Sequence, residues 1–259
     1  MISYCIACYR PAYCRHLIDQ LVEKTTAAYE ILLWINLLDE AFETFLRSKA
    51  DAGASIRIVG RTPENIGMSA YPKLFASARF DMVTQIDDDV VCISPCIAER
   101  AQEVFDRFPE IGMLAADTWQ DEYTTGARPA MQHYRVFNLE FGLYDGPIDG
   151  WFSIYRRTSL TVCGDLNPGR YYSLGSHIKA RLVSMGQKGL LCKRLKVFHV
   201  TGPFYADYFG SLDSEIAKYS AIGRQDMVDW YHHARPDIPS PKSLAARIDQ
   251  IRASMVQRP

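Results

Sequence analysis

Phe80-Asp81-Met82-Val83-Thr84-Gln85-Ile86-Asp87-Asp88-Asp89-Val90-Val91 is a short run that ends on three consecutive carboxylates and resumes as apolar sequence. Phe80 to Ile86 reads as a strand. Three adjacent carboxylates repel one another unless positive charge sits among them. In an open α/β sheet the carboxyl end of a strand is where ligands bind. A hard divalent cation, Mg²⁺ or Mn²⁺, suits such oxygen donors and typically bridges one or two carboxylates and a substrate diphosphate. The plainer alternative is a solvated acidic turn after a strand.

Outward from this stretch, two periods alternate. Ile2 to Cys8, Tyr29 to Ile35 and Ile56 to Val59 are short apolar runs that predict strands. Between them, Leu17, Ile18, Leu21 and Val22 recur at helical spacing, Phe42, Phe45 and Leu46 mark a helix after Asp39, and Tyr71 to Ala78 predicts another. Asn65-Ile66-Gly67 is a turn signal. Ser94-Pro95 predicts a helix start, with Ser94 as N-cap and Pro95 at the first helical position, and Ile111 to Ala116 predicts the next strand. Strands separated by helices of this length indicate right-handed βαβ units, so the fold class is α/β with a parallel sheet.

Past Asp117 the pattern weakens. Trp119 to Ile148 predicts a mobile loop or short antiparallel hairpins, Gly150 to Arg156 a strand, Leu174 to Met185 a helix and Leu190 to Val200 a strand. The tail from Ser214 predicts helix, broken by Pro236, Pro239 and Pro241. No internal repeat and no linker-like shift in composition divides the 259 residues. We therefore expect a single domain, with residues 1–116 and 117–213 as its halves and 214–259 as a helical tail.

Composition narrows the function classes. The chain is 48% hydrophobic and 23% charged, as a globular protein is, and its formal net charge of −1 does not fit a general nucleic-acid binder. No apolar run approaches the ~18 residues of a membrane span, and Met1-Ile2-Ser3-Tyr4 does not open like a signal peptide. Seven cysteines do not form a disulfide framework here, which predicts a cytoplasmic, reducing location. Cys5-Ile6-Ala7-Cys8 lacks a second such pair and reads as core strand rather than a metal site. From Trp151 to Val200 there are nine Lys or Arg residues and a single acid, Asp165, an asymmetry that points to an anionic partner unless the charges lie on separate faces. No G-x-G-x-x-G or G-x-x-x-x-G-K occurs, which removes dehydrogenase and P-loop readings.

Taken in order, these segments resemble the family 2 glycosyltransferases of the GT-A fold. The strand and loop Ile2 to Pro11 look like that family's first strand and nucleotide-contacting loop, and Glu64-Asn65-Ile66-Gly67 followed by Ala76-Ser77-Ala78 is similar to its N-x-G … A segment. Asp87-Asp88-Asp89 matches its D-x-D motif. Ile148-Asp149-Gly150-Trp151-Phe152 with Arg156-Arg157 is similar to its D-G … R stretch, Arg181 with Gly186 to its acceptor-side helix, and Val197-Phe198-His199 to the strand that ends in a metal-binding His.

The resemblance implies a GT-A fold, a Rossmann-like and mostly parallel sheet with a smaller antiparallel acceptor side. It implies a hexosyl-type transferase that moves a sugar from a nucleoside-diphosphate donor, UDP-sugar favoured, to a hydroxyl on a carbohydrate, lipid-linked or small-molecule acceptor. Mn²⁺ or Mg²⁺ would be held by Asp87, Asp89 and His199. The donor would be contacted by Ala7, Tyr9, Arg10, Asn36, Asn65, Gly67, Lys73, Asp87 and Asp88. Peripheral attachment to the inner membrane face would also fit such an enzyme.

One departure stands out. Where the family places an acidic pair before the acceptor-side helix, this chain has Leu174-Gly175. Asp149 or His177 could serve as the base, the enzyme could be retaining, or Asp165 could be the equivalent residue; Asp149 is preferred. Two other readings are a non-catalytic carbohydrate- or nucleotide-binding module of this fold and a sugar-1-phosphate nucleotidyltransferase. The second normally opens with a glycine-rich phosphate loop, and residues 2 to 15 contain no Gly.

Overall fold

β1 (Ile2–Cys8) is apolar nearly throughout and buried on both faces, the signature of a strand inside a parallel sheet. A computed structural model describes residues 1–120, 123–124, 128–166, 173–200, 202–221, 223–234 and 240–256. After β1 come α1 (Pro11–Lys24), β2 (Tyr29–Asn36), α2 (Glu40–Asp51), β3 (Ile56–Thr62), α3 (Tyr71–Ser77) and β4 (Met82–Ile86). Pro11 stands in the first turn of α1, where its missing N–H costs nothing. Asp39 caps α2 by accepting from the Phe42 amide at 2.7 Å. These are the predicted βαβ units, and β3, β2, β1 and β4 pair in parallel in that order.

The acidic triplet is the turn from β4 into β5 (Val90–Ile93), a strand the sequence reading did not separate from the turn. α4 (Ile97–Arg107) follows, and it corrects the predicted cap. Its N-cap is Cys96, at φ +57°, whereas Ser94, one residue past β5, is tied to β10, its Oγ accepting from the Lys196 amide at 3.0 Å. Then come β6 (Ile111–Thr118), β7 (Arg135–Asn138), β8 (Leu143–Asp145), β9 (Phe152–Arg156), α5 (Arg157–Val162), α6 (Leu174–Ser184) and β10 (Lys188–His199). β7 and β8 are an antiparallel hairpin, as expected for this weakly patterned stretch. The tail holds α7 (Pro203–Tyr208), α8 (Leu212–Ala221), α9 (Gln225–Ala234) and α10 (Pro241–Val256). Pro241 starts α10; Pro236 and Pro239 lie outside the described residues.

Among the described residues all ten strands join one sheet. The path runs β3-β2-β1-β4-β9-β6-β10-β8-β7, with β5 paired to β10. β9, β8 and β5 run against the direction of the others, so the parallel half gives way to a mixed half just beyond β4. That change of direction leaves the carboxyl end of β4 open as a crevice. Helices cover the sheet, and Cys5, Cys8, Cys14 and Cys92 are buried thiols packed as small hydrophobes. Among the described residues no helix is long and apolar enough to cross a membrane.

One buried carboxylate ties the parallel strands together. Glu30 of β2, 1% exposed, accepts from the Ser3 hydroxyl (2.7 Å), the Arg79 amide (2.8 Å) and the Arg79 guanidinium (2.9 Å). Burial acts to raise its pKa, but these donors outweigh it and hold the group below the usual carboxylate value. The interaction therefore stabilises the fold above the ordinary carboxylate pKa and fades as pH falls through the lowered one. Because the Arg79 side chain is largely exposed, Glu30→Gln should cost only about 1–3 kcal/mol at neutral pH. Urea unfolding should show that difference shrinking as pH falls below the ordinary carboxylate pKa; a pH-independent difference would contradict the assignment.

Candidate functional site

Backbone geometry decides where the three carboxylates point. The Asp87 amide donates to Trp151 O (2.9 Å), which docks the turn on the chain entering β9, and the Val90 amide returns to Asp87 O (3.2 Å). β5 then runs antiparallel to the end of β10, with His199 opposite Val90 and a register shift between Phe198 and His199. The Val200 amide donates to Asp89 O at 2.9 Å. A bulge of this kind re-aims a side chain, and His199 faces the acidic turn from 110 residues away.

The triplet divides into two kinds of acid. Asp88 lines the cavity and also holds the first loop: its Oδ2 accepts from the amides of Tyr9 and Arg10, both at 2.6 Å, and its Oδ1 from the Arg10 guanidinium at 2.7 and 2.9 Å. It thus fixes the loop between β1 and α1. Asp87 and Asp89 instead face His199, whose Nε2 lies 2.9 Å from Asp89 Oδ1 and 3.7 Å from Asp87 Oδ2. One ligand atom from each of Asp87, Asp89 and His199 can be chosen so that all lie within 4.8 Å of one another.

The electrostatics of this group call for a cation. Burial pushes the Asp87 carboxyl up to about 7, and the neighbouring Asp89 charge adds to the effect. Burial acts the same way on Asp89, but the Arg10 guanidinium and His199 hold that carboxyl well below the usual range. For His199, burial would lower the imidazole, and the two aspartates raise it instead. Arg10 also reaches Asp89 at 2.9 Å and Glu215 of α8 at 2.6 Å, so one guanidinium serves three carboxylates. With Lys218 on Glu215, Asp87, Asp88, Asp89 and Glu215 face two permanent cations, and Asp149 adds a further carboxylate near Asp87, a deficit that a divalent ion would largely offset. Asp87 Oδ1 and His199 Nδ1 are buried without hydrogen-bond partners. Carboxylate oxygen and imidazole nitrogen are donors that suit Mn²⁺ or Mg²⁺. The residues fit such an ion.

The trio opens into a cavity of about 590 Å³, large enough for a small-molecule ligand. Ala7, Tyr9 and Arg10 line it from the first loop, Asn36 from the end of β2, and Asn65 and Gly67 from the turn before α3. Asn36 Oδ1 accepts from the Ile66 amide (3.0 Å), which positions that turn, while Asn36 Nδ2 is buried with no partner. Gly67 sits at φ +54°, a backbone that disfavours other residues, and its amide closes on Asn65 Oδ1. Lys73 is not at the cavity. It is exposed, and its ammonium lies over the Trp34 ring at 4.4 Å.

The opposite wall is built by Asp149, Gly150 and Trp151 with the first turn of α6. Asp149 Oδ1 accepts from the amides of Gly150 (2.8 Å) and Ser176 (3.1 Å), so its carboxylate sits at the amino end of α6. The approach is so close that a Cβ on Gly175 would lie 2.3 Å from Gly150 N, and one on Gly150 would lie 1.8 Å from Gln85 Nε2. Position 175 therefore leaves no room for an acidic side chain, and the wall's carboxylate comes from Asp149. His177, one residue past Ser176, is half-buried on α6 and does not line the cavity. Trp151 is 7% exposed and donates its Nε1–H to Ala116 O (2.7 Å), which holds the ring in the wall.

The basic run from Trp151 to Val200 does not converge here. Arg156 caps carbonyls of Phe105, Phe108 and Ile111, Arg181 those of Cys163 and Asp165, and Arg157 that of Arg79. Lys179 pairs with Asp145, Arg194 with Glu103 and Lys196 with Asp117. Lys188 and Lys193 lie over the rings of Phe137 and Tyr144. Arg170 lies outside the described residues. The cavity's cations are instead Arg10 and Lys218 among the described residues. Lys218, Tyr219 and Gln85 are lining residues that sequence reasoning missed. Glu215 and Lys218 look in sequence like an ordinary solvated helical pair, and Gln85 like a polar residue in a strand.

No protein-family model matches the sequence, and no curated protein matches it. Solved structures do. A mannosyltransferase from Pyrobaculum calidifontis, in complex with GDP-Man and Mn²⁺, is 14% identical at a TM-score of 0.59, covering 86% of this chain and 64% of its own. S. aureus TarS with UDP-GlcNAc is 11% identical at 0.58, covering 78% and 59%, and GalNAc-T7 with UDP, GalNAc and Mn²⁺ is 12% identical at 0.63, covering 78% and 44%. The chain thus spans less than two thirds of each of these three. The likeness shows the GT-A fold, with the α/β sheet expected from the sequence.

Proposed function

We propose that this GT-A chain is a metal-dependent glycosyltransferase that moves a sugar from a nucleoside-diphosphate donor, UDP-sugar favoured, to a hydroxyl acceptor. The observation that carries the reading is the convergence of Asp87, Asp89 and His199 at a cavity that Asp149 also lines. The solved structures of like fold include complexes with GDP-Man, UDP-GlcNAc and UDP.

In this reading the nucleoside lies along Ala7 to Arg10, Asn36, Asn65 and Gly67, where the buried Asn36 N–H₂ supplies an unused donor. Asp87, Asp89 and His199 would hold Mn²⁺ or Mg²⁺, which when bound offsets the charge of a departing nucleoside diphosphate. Asp88 and Arg10 keep the first loop in place. Asp149 is the candidate base: with Oδ1 fixed by two amides, Oδ2 takes the proton of the acceptor hydroxyl. The acceptor oxygen then bonds to the anomeric carbon as the C–O bond to the diphosphate breaks and its electron pair leaves with the phosphate. His177 is set aside because it lies off the cavity. A cytoplasmic location, free or at a membrane surface, is part of this proposal.

Purified protein incubated with single nucleotide sugars and Mn²⁺ should release nucleoside diphosphate from one class of donor, and chelation should stop the release. Tight nucleotide binding with no turnover, with acceptors supplied, would instead favour a binding module of the same fold.

A further inference from the structure

The cavity has a wall from the far end of the chain. Ser211 and α8 dock on α1: the Tyr13 and Ser211 hydroxyls lie 2.6 Å apart, and the Tyr13 ring packs on Phe209 at 4.2 Å between centroids. From α8, Glu215 projects into the buried core of the site, 4% exposed, and bonds Arg10 at 2.6 Å. Lys218, one turn further on the same helix face, pairs with the other oxygen of Glu215 at 3.2 Å and lines the cavity with Tyr219. An ion pair linking residues 205 positions apart is a costly way to add stability, because desolvating its charges offsets much of the attraction. It is an effective way to place an ammonium group.

We infer that Lys218 is the clamp for the negatively charged diphosphate of the donor, positioned by the Arg10–Glu215 bridge. The inference rests on the reading of the site as a nucleoside-diphosphate site and assigns α8 to it. Arg10 is committed to three carboxylates, whereas Lys218 pairs with one carboxylate, lies over the Tyr219 ring at 5.0 Å and keeps a side chain 27% exposed. A divalent ion at Asp87, Asp89 and His199 would leave the site near neutrality, so the charge that a diphosphate brings needs a further donor. Among the described lining residues Lys218 is the cation able to turn to it. An ammonium making a charge-assisted hydrogen bond to phosphate discriminates a diphosphate from an uncharged nucleoside.

The test is a binding ladder with Mn²⁺ present: UDP and uridine, and GDP and guanosine, titrated calorimetrically into wild type, Lys218→Met and Lys218→Arg. Met keeps the stem of the side chain, so folding should be retained, as a melting curve would check. Lys218→Met should weaken the preferred nucleoside diphosphate by about tenfold or more and leave the nucleoside within about twofold. Lys218→Arg should recover most of the loss. Equal diphosphate affinity in wild type and Lys218→Met, or an equal loss for the nucleoside, would overturn the role of Lys218 alone. Wild type that binds neither UDP nor GDP would overturn the nucleotide-site reading, and this inference with it.

Discussion

Asp89→Ala should remove sugar transfer almost entirely, by about a thousandfold or more, a loss of roughly 4 kcal/mol of transition-state stabilisation. Asp89 ties the candidate ligand His199 to the first loop and to the end of β10. It faces His199 at 2.9 Å and Arg10 at 2.9 Å, and its backbone carbonyl holds the Val200 amide. Its loss takes away one of the three candidate metal ligands and leaves His199 without a hydrogen-bond partner. Since changing only the partners of metal ligands typically costs about 10–100-fold in affinity, loss of the ligand itself should weaken Mn²⁺ by more than about 100-fold. Asp89→Asn provides the control for packing: it keeps the volume and should fold like the wild type while losing most of the metal. Transfer assays with Mn²⁺ titrated over a wide range would separate the effects. Activity of Asp89→Ala near that of the wild type at ordinary Mn²⁺ would exclude it as a ligand.

Asp149→Asn should give the second largest effect, and of a different kind. General-base catalysis contributes about 10²–10⁴-fold, and asparagine cannot accept the hydroxyl proton. The amide oxygen can still accept from the Gly150 and Ser176 amides, so the close junction of α6 with the Asp149–Gly150 backbone should survive. Transfer should fall by at least about 100-fold while Mn²⁺ and nucleoside-diphosphate affinities stay within about twofold. The neighbouring His177→Ala should change transfer little, because that side chain does not line the cavity. Full activity of Asp149→Asn would remove Asp149 from the chemistry and reopen the choice between another base and a retaining mechanism.

Much of this was legible in the sequence because it is written in short-range pattern. The run into Asp87-Asp88-Asp89 showed a buried strand ending in acid, and the strands and helices up to Ile111 to Ala116 alternate strongly enough to fix βαβ order. The pairing of those acids with His199 came through likeness of motif, and the structure supplies the physical reason in the antiparallel contact of β5 with β10. What stayed hidden depends on partners far apart in the chain. Asp88 reads like its neighbours until the loop amides of Tyr9 and Arg10 are seen on it. Ser94-Pro95 looks like a cap, but hydrogen bonds to Lys196 hold Ser94 against β10, and the helix starts at Ile97. The basic block from Trp151 to Val200 has real charge, yet its described members turn to carbonyls, acids and rings on separate faces. Conversely, Leu174-Gly175 looked like a missing acid, and the backbone contact at Gly175 shows why no acid stands there.

Asp87, Asp89 and His199 are proposed to hold a divalent ion as part of a nucleoside-diphosphate site, and calorimetric titration of Mn²⁺ into the protein, alone and with saturating UDP or GDP, reads that out. One ion per chain should bind, and the nucleotide should tighten it by tenfold or more, since each ligand offsets the other's charge. No Mn²⁺ binding with either nucleotide present, or binding unchanged in Asp89→Ala, would contradict the claim.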